Sequence, residues 1–224
     1  GLFFACILGM FFGLLSVLKN KACRIISSIF VDVIRGVPMI VLAYFIYFGV
    51  PAGIKMMGIQ DFRLSALQAG TIALSMNCGA YMAELIRAGI QSIEDGQTEA
   101  ARSLGLSQMQ NMRFIILPQA IKNILPAIGN EFVTIIKESA ITYTIGVQDL
   151  MAAVKAAQAG TFLIIEPLLV VAVMYFCLTF PTSKVIAYFE KKMSVGDRRN
   201  GGDRQRMRKR KVGFAGKGEQ EIPM

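Results

Sequence analysis

The sequence predicts an all-α membrane protein, and three observations carry this prediction. Of the 224 residues, 54% are hydrophobic and only 17% are charged. The apolar residues gather in long runs, and short polar segments separate these runs. A soluble domain is usually about 45–50% apolar and about 25% charged. A helix needs ~20 apolar residues to cross a bilayer, and the runs are of that length.

Five apolar segments are expected to span the membrane: residues 1–18, 25–50, 65–86, 121–145 and 161–188. The first segment would reach roughly 27 Å as a helix, so we expect that its first residues are missing. It has neither the basic region nor the small-residue cleavage site of a signal peptide. The second segment contains Asp32 and Arg35 and is too long for one simple crossing. We expect it to begin as an interfacial helix and to enter the membrane near Gly36-Val37-Pro38.

Lysine and arginine are unevenly distributed among the connecting segments. Segments 19–35 and 87–122, together with the tail from Lys184, hold 20 of the 24. These residues concentrate on the cytoplasmic side of membrane proteins. The sequence therefore predicts an N-terminus outside the cell, five spans and a cytoplasmic C-terminus.

The connection between the third and fourth apolar segments, residues 92–118, is predicted to form two short helices and is called the polar loop below. Its first helix is expected to start at Ser92-Ile-Glu-Asp95 or, alternatively, with Thr98 as its N-cap. Gly105 fits the C-cap, where a left-handed backbone is needed. Ser107-Gln-Met-Gln110 offers a capping box for the second helix, which Pro118 is expected to end.

Small side chains at Ala100 and Ala101 would allow another surface to approach the first helix closely. The sequence pattern alone equally fits an ordinary amphipathic helix at the membrane interface. A wider set of residues favours the docking interpretation. Glu99-Ala100-Ala101, Gly105 and Ile116-Leu117-Pro118 resemble, in type and spacing, the EAA loop of binding-protein-dependent ABC importer permeases.

This resemblance implies a type I ABC importer permease (MetI-like) fold in the bacterial cytoplasmic (inner) membrane. In that family the EAA loop forms coupling helices that sit in a cleft of a cytoplasmic ATPase subunit. The implied ATPase-coupling residues are Glu99, Ala100, Ala101, Ser103, Leu104, Gly105 and Leu106. Closure of the ATPase dimer on ATP would move the docked loop and open a central cavity toward the outside. Hydrolysis would return this cavity to its inward-open state.

Other stretches are similar to the polar amino acid permeases of the same family. Residues 35–51 resemble their second span, residues 74–84 their third span, and residues 87–93 the entry to the loop. Pro118-Gln-Ala120, Asn130-Glu131 and Lys137-Glu-Ser139 fit their fourth span, whereas Val37 and Ala140 depart from the commoner Thr and Ser. The resemblance covers about residues 1–192, the predicted permease domain. Residues 193–224 are predicted to be a flexible, basic cytoplasmic tail.

The resemblance also implies partners for this chain. These are a cytoplasmic ATPase dimer, a second permease subunit that is either identical or different, and an extracytoplasmic solute-binding protein. The substrate would be a polar amino acid. Glutamine, glutamate, arginine, histidine and cystine systems share these motifs, so the sequence leaves the particular amino acid open.

The chain is not expected to be an enzyme. It contains no histidine, and its four cysteines are scattered singly, so no catalytic residues and no metal site are predicted. The segment Gly213-Phe-Ala-Gly-Lys-Gly218 lacks the spacing of a Walker A loop and its Ser or Thr after Lys. We therefore expect no cofactor on this chain, with ATP and Mg bound by the partner ATPase.

Polar side chains within the predicted third and fourth spans are candidates for the substrate pathway: Asn77, Asn130, Glu131, Thr134, Lys137 and Glu138. Charged residues inside a membrane usually face a cavity or a partner. Lys137 with Glu131 or Glu138 could hold the carboxylate and the amine of an amino acid. Alternatively, Lys137 and Glu138 lie at the outer interface or pair across a permease dimer.

The third span carries two further features. Glu84 and Arg87 lie three residues apart near its loop end and are predicted to form a structural ion pair. Small residues, among them Gly70, Gly79 and Ala80, predict a helix that packs closely against its neighbours.

Two segments follow the fourth span. Residues 148–160 predict a short helix, with Asp149 near its start and Gly160 after its end. This helix would be either an outer gate or a simple periplasmic helix. Residues 198–211 contain eight basic residues and one acid, which predicts contact with anionic lipid or, alternatively, a regulatory contact with the ATPase. No aromatic residues accompany them, so a nucleic-acid partner is not expected.

Two rival functions remain at this point. A self-sufficient secondary transporter or channel would move amino acids without ATP or partners. A membrane scaffold would dock a soluble protein on the polar loop without moving any solute.

Overall fold

The computed structural model describes the backbone of residues 1–215 and the side chains of residues 1–192. The described backbone is helical and contains no strand. Its α-helices are α1 (Leu2–Val17), α2 (Lys21–Gly36), α3 (Met39–Tyr44), α4 (Val50–Met56), α5 (Ala66–Gln91), α6 (Asp95–Ser103), α7 (Gln108–Asn111), α8 (Leu117–Glu138), α9 (Leu150–Thr161) and α10 (Ile165–Ala215). The predicted all-α class is therefore confirmed.

The second apolar segment divides at the position predicted. The Asn20 side chain caps α2 by accepting a hydrogen bond from the Ala22 amide at 2.9 Å. Helix α2 ends at Gly36, and extended backbone at Val37 and Pro38 separates it from the next helix. The residue before a proline is disfavoured in α conformation, which accounts for the break. The predicted end at residue 50 is wrong, because this apolar helix continues to Met56.

Two π-helical turns, Phe45–Gly49 and Met112–Ile116, each precede a proline by two positions. Pro51 and Pro118 then occupy the first turn of α4 and α8. In a regular helix a proline ring clashes with the carbonyl group four residues earlier, and a wider turn gives the ring room. The prediction that Pro118 ends a helix is therefore wrong, since the chain continues helically from α7 into α8.

Helix α5 lies at the centre of the fold, and glycines bring α1 against it. A Cβ atom added at Gly9 would lie 2.5 Å from the Met82 Cβ, and one at Gly79 would lie 2.9 Å from the Leu8 Cβ. Ala80 is fully buried on α5 in the cluster that also contains Ile34 of α2 and Met39 of α3. The prediction that small residues make this helix close-packed is confirmed.

Helix α8 packs on α5 and on α10 through two more glycines. A Cβ at Gly89 would lie 2.1 Å from Ile124 Cγ1, and one at Gly129 would lie 2.5 Å from Ile186 Cγ2. The predicted fourth span ran to residue 145, but α8 ends at Glu138. Ser139–Ile145 forms a 3-10 segment that closes at the left-handed Gly146. Pro126 lies inside α8, which continues through it.

Helix α9 begins where the sequence predicts, because the Asp149 side chain accepts a hydrogen bond from the Ala152 amide at 2.8 Å. Its predicted end is wrong. Gly160 lies within the helix, and Phe162 adopts the left-handed conformation that ends it. The Phe162 amide donates to the Gln158 carbonyl group, so the backbone bond satisfies the end of the helix without a glycine.

Two helical stretches are long and apolar enough, by length and composition, to cross a membrane: Met39–Met56 and Ile165–Lys192. Leu2–Val17 is a shorter apolar helix. The number of five spans therefore stays a prediction. The side chains of the tail from residue 193, and all of residues 216–224, lie outside what the structure describes. The predicted flexibility and lipid contact of that tail stay predictions as well.

Candidate functional site: the polar loop and the α5–α8 interface

The first helix of the polar loop, α6, begins at Asp95 with Glu94 as its N-cap, and no side chain caps it. The alternative N-cap at Thr98 is wrong, because Thr98 lies inside the helix. Its hydroxyl group instead accepts a hydrogen bond from Asn111 Nδ2 at 3.2 Å. This bond joins α6 to α7 across the loop. The acidic Asp95 is well placed at the positive end of the helix dipole.

The turn between the two helices has the geometry predicted for a glycine. Gly105 has a φ of +79° and follows the C-cap Leu104. The Gly105 amide donates to the Arg102 carbonyl at 2.9 Å, and the Leu106 amide donates to the Ala101 carbonyl at 3.1 Å. These two bonds form a Schellman motif, which needs a residue that tolerates positive φ.

The second helix starts with the predicted capping box. The Ser107 hydroxyl accepts from the Gln110 amide at 3.3 Å, and the Gln110 side chain accepts from the Ser107 amide at 2.8 Å. Two backbone amides at the helix start are thereby satisfied. The polar loop is therefore a fixed structure with a hydrogen-bonded corner.

The corner presents an exposed surface made by most of the residues proposed for coupling. Exposed members are Glu99, Ala100, Ser103, Leu104 and Gly105, while Leu106 is half-buried. Leu104 is 81% exposed, which is high for a leucine. Ala101 is only 3% exposed, so of the two alanines only Ala100 is available to a partner. An apolar side chain beside small ones on a rigid corner is suited to enter a cleft of another protein.

The loop is tied to both of the helices that it connects. The Ser92 hydroxyl group donates to the Gly89 carbonyl group at 2.8 Å and accepts from Asn123 Nδ2 at 3.0 Å. Gly89 and Ile124 meet in the same region, with no space for a Cβ at the glycine. No local pattern predicts these links, since Asn123 and Ser92 belong to different helical segments.

Glu84 and Arg87 lie in contact as predicted, and the structure adds Arg35 to them. The Arg87 Nε donates to Glu84 Oε2 at 2.9 Å, and a second bond joins Arg87 to the other carboxylate oxygen. Arg35 of α2 lies 4.0 Å from the same carboxylate and 5.0 Å above the Tyr81 ring. Sequence reasoning missed Arg35 because only the fold brings α2 to α5.

The candidates for the substrate pathway separate into two groups. Asn77 is 4% exposed and donates from Nδ2 to Glu138 Oε2 at 2.8 Å, which joins α5 to α8. Glu131 lies near enough to Glu138 for the two carboxylates to interact electrostatically. The Thr134 hydroxyl group is half-buried and donates to its own helix, to the Asn130 carbonyl group at 3.2 Å.

Asn130 and Lys137 form the second group and are exposed on another face of α8. Lys137 makes no salt bridge with any side chain between residues 1 and 192. Lys137 therefore forms no direct ion pair with Glu131 or Glu138, and the hypothesis that Lys137 and one of these carboxylates hold an amino acid between them stays a prediction. Glu138 and Asn77 are the candidates that the fold does bring together.

Comparison with known proteins identifies the family of this fold. Residues 5–195 match the family described as "Binding-protein-dependent transport system inner membrane component". The chain belongs to this family. The resemblance inferred from the polar loop is therefore confirmed. The family describes a membrane transport component rather than an enzyme.

Individual relatives align with most of the chain. The chain is 38% identical over 192 residues to a putative glutamine transport system permease protein of Rickettsia conorii, with 86% of this chain and 85% of the relative covered. It is 37% identical over 197 residues to the arginine transport system permease protein ArtQ of Bacillus subtilis, with 86% and 87% covered.

Solved structures share the fold. A crystal structure of an amino acid ABC transporter with histidines matches at a TM-score of 0.77 and 41% identity, covering 84% of this chain and 85% of that one. The inward-facing MetNI methionine ABC transporter matches at a TM-score of 0.66 and 21% identity, covering 85% and 88%. The predicted MetI-like type I importer fold is confirmed by these matches.

Proposed function

We propose that the chain is the transmembrane permease subunit of an ATP-driven importer for polar amino acids. Relatives at 37–38% identity named for glutamine and arginine transport support the substrate class. The single observation that carries the coupling proposal is the exposed corner of the polar loop, with Leu104 at its tip. A rigid corner of this kind can transmit a force, whereas a flexible loop would absorb it.

The polar loop docks in a cleft of a separate ATPase subunit in this proposal. Glu99, Ala100, Ser103, Leu104 and Gly105 would contact the ATPase, while the buried Ala101 would support the corner from inside. ATP and Mg would be bound by the ATPase, and this chain would bind no cofactor. The complete importer would contain an ATPase dimer, a second permease subunit and an extracytoplasmic binding protein.

The substrate would pass between this chain and the second permease subunit, along α5 and α8. Asn77, Glu131, Thr134 and Glu138 lie half-buried or buried at this side of α8. Asn130 and Lys137, which are exposed in the single chain, would face the central cavity or the second subunit. Alternating access would arise as the ATPase dimer closes on ATP and moves the loop.

The proposed orientation places the polar loop and the C-terminus in the cytoplasm and the N-terminus outside. The lysine and arginine distribution supports this orientation. It also follows from the docking proposal, because ATP is available on the cytoplasmic side.

The test is uptake of radiolabelled amino acids by liposomes that contain the chain, its ATPase and its binding protein. We expect uptake to require internal ATP and both partners. Leu104→Asp should lower uptake by about tenfold or more, because a charge cannot enter an apolar cleft without a partner. Met57→Asp is the matched control, since Met57 is 83% exposed and lies at the end of α4, outside the polar loop.

The control should keep its uptake and its stability. Equal losses in the two variants would contradict the docking role of the loop. Uptake by liposomes that contain this chain alone, without ATP, would instead favour the secondary transporter or channel.

A further inference from the structure

A cavity of about 900 Å³ lies beside the polar loop, on the side away from the exposed corner. The end of α1, the polar side of α2, the loop end of α5 and the helices α6 and α7 surround it. Ligand pockets in proteins usually measure about 300–1,000 Å³, so this space is large enough for a small molecule or a lipid headgroup.

The lining of this cavity carries an excess of positive charge. It contains six basic residues, Lys19, Lys21, Arg24, Arg35, Arg87 and Arg102, against the three carboxylates of Asp32, Glu84 and Asp95. Arg35 and Arg87 are engaged by Glu84. The other four basic residues form no salt bridge with any side chain of residues 1–192. The chemistry of the lining therefore suits an anion, and phosphate oxygens are strong acceptors for such groups.

The position of α2 indicates where the ligand comes from. Ile25, Ile26, Ile29 and Val33 form one exposed apolar stripe along α2, between 48% and 59% exposed. Lys21 and Arg24 lie toward the start of the same helix and line the cavity. An amphipathic helix with such a stripe lies in the membrane interface, with its apolar side among the acyl chains. The cavity beside it is then at the level of the lipid headgroups.

We propose that this cavity binds the headgroup of an anionic phospholipid. Lys21 and Arg24 hold the phosphodiester. The acyl chains lie along the apolar stripe of α2. This site is separate from the surface proposed to dock the ATPase, and lipid binding to it does not require transport.

The experiment measures lipid binding to the purified full-length chain in detergent by native mass spectrometry. The probes are phosphatidylglycerol, phosphatidylcholine and inorganic phosphate. The wild type should prefer phosphatidylglycerol to phosphatidylcholine. The double variant Lys21→Gln/Arg24→Gln should bind phosphatidylglycerol about tenfold more weakly, since charge-assisted hydrogen bonds to phosphate are lost.

Lys55→Gln/Arg63→Gln is the matched control, because it removes two exposed basic residues from the other end of the bundle. It should bind phosphatidylglycerol as the wild type does. Circular dichroism and gel filtration verify that each variant is folded.

Three results would overturn the proposal. One is equal phosphatidylglycerol affinity in the wild type and in folded Lys21→Gln/Arg24→Gln. Another is equal binding of phosphatidylglycerol and phosphatidylcholine by the wild type. The third is inorganic phosphate that displaces the lipid and depends on the same two residues, which would assign the cavity to a soluble anion. None of these readouts depends on ATP, so failure here is distinct from failure of the proposed transport function.

Discussion

Replacing Gly105 with alanine would test whether the shape of the polar loop matters for coupling. Gly105 has a φ of +79°, and a Cβ there would meet no atom within 4 Å. The cost of the substitution is therefore backbone strain alone, about 1–2 kcal/mol for an L-residue in the left-handed region. Relief of this strain requires fraying of the last turn of α6. The ratio of intact to frayed corner would then fall by a factor of about 5–30.

The structure offers an unusually close control at Gly58. This glycine has a φ of +94° and equally open surroundings, and it ends α4 with the same pair of bonds. The Gly58 amide donates to the Lys55 carbonyl at 3.0 Å, and the Ile59 amide donates to the Ile54 carbonyl at 3.4 Å. Gly105→Ala and Gly58→Ala should thus cost similar free energy and lower the melting temperature by about 2–8 °C each.

The two variants should differ in transport. ATP-driven uptake in liposomes with the ATPase and binding protein should fall several-fold in Gly105→Ala and stay near the wild-type rate in Gly58→Ala. Gly105→Asn should recover part of the uptake, because asparagine tolerates the left-handed conformation better than alanine. Unchanged uptake in a measurably destabilised Gly105→Ala would refute the reasoning, and so would equal losses at the two positions.

Three further predictions concern the helices behind the loop. Gly89→Ala should destabilise the protein by about 1–3 kcal/mol, since its Cβ would lie 2.1 Å from Ile124; Ile124→Ala should restore stability in a double-mutant cycle of unfolding. Glu84→Gln removes the carboxylate shared by two arginines and should cost about 1 kcal/mol in chemical denaturation, because all three groups are partly exposed. Asn77→Leu should cost about 1.5–3 kcal/mol of unfolding free energy by losing its bond to Glu138. Glu138→Gln keeps an acceptor for Asn77, so it should be more stable than Asn77→Leu but slower in uptake than the wild type.

Local chemistry explains which parts of the fold could be predicted from the sequence. The break at Gly36-Val37-Pro38, the left-handed Gly105 and the capping box at Ser107 each depend on a few adjacent residues, and all three occur as predicted. The prediction for Pro118 failed because proline was treated as a helix breaker. A π-helical turn before it gives the ring space and keeps the helix continuous.

Contacts between distant helices account for most of what the sequence did not reveal. Arg35 joins Glu84, and Asn123 reaches Ser92, only after the helices have packed. Burial of Ala101 likewise depends on the packing of α6 against the later part of the loop. Seven residues separate Glu131 and Glu138 along α8, and their carboxylates interact electrostatically. This spacing could not show that the partner of Glu138 is Asn77 on another helix.

The arrangement of these contacts has a mechanical consequence for the proposed coupling. The polar loop is fixed to α5 through Ser92 and to α8 through Asn123, and the two helices meet without free space at Gly89. Packed interiors of this density transmit displacement rather than absorb it. A force on the loop would therefore reach α5 and α8 together. The same two helices hold the hydrogen bond between Asn77 and Glu138, so movement of the loop has a direct structural route to the polar groups proposed to contact the substrate.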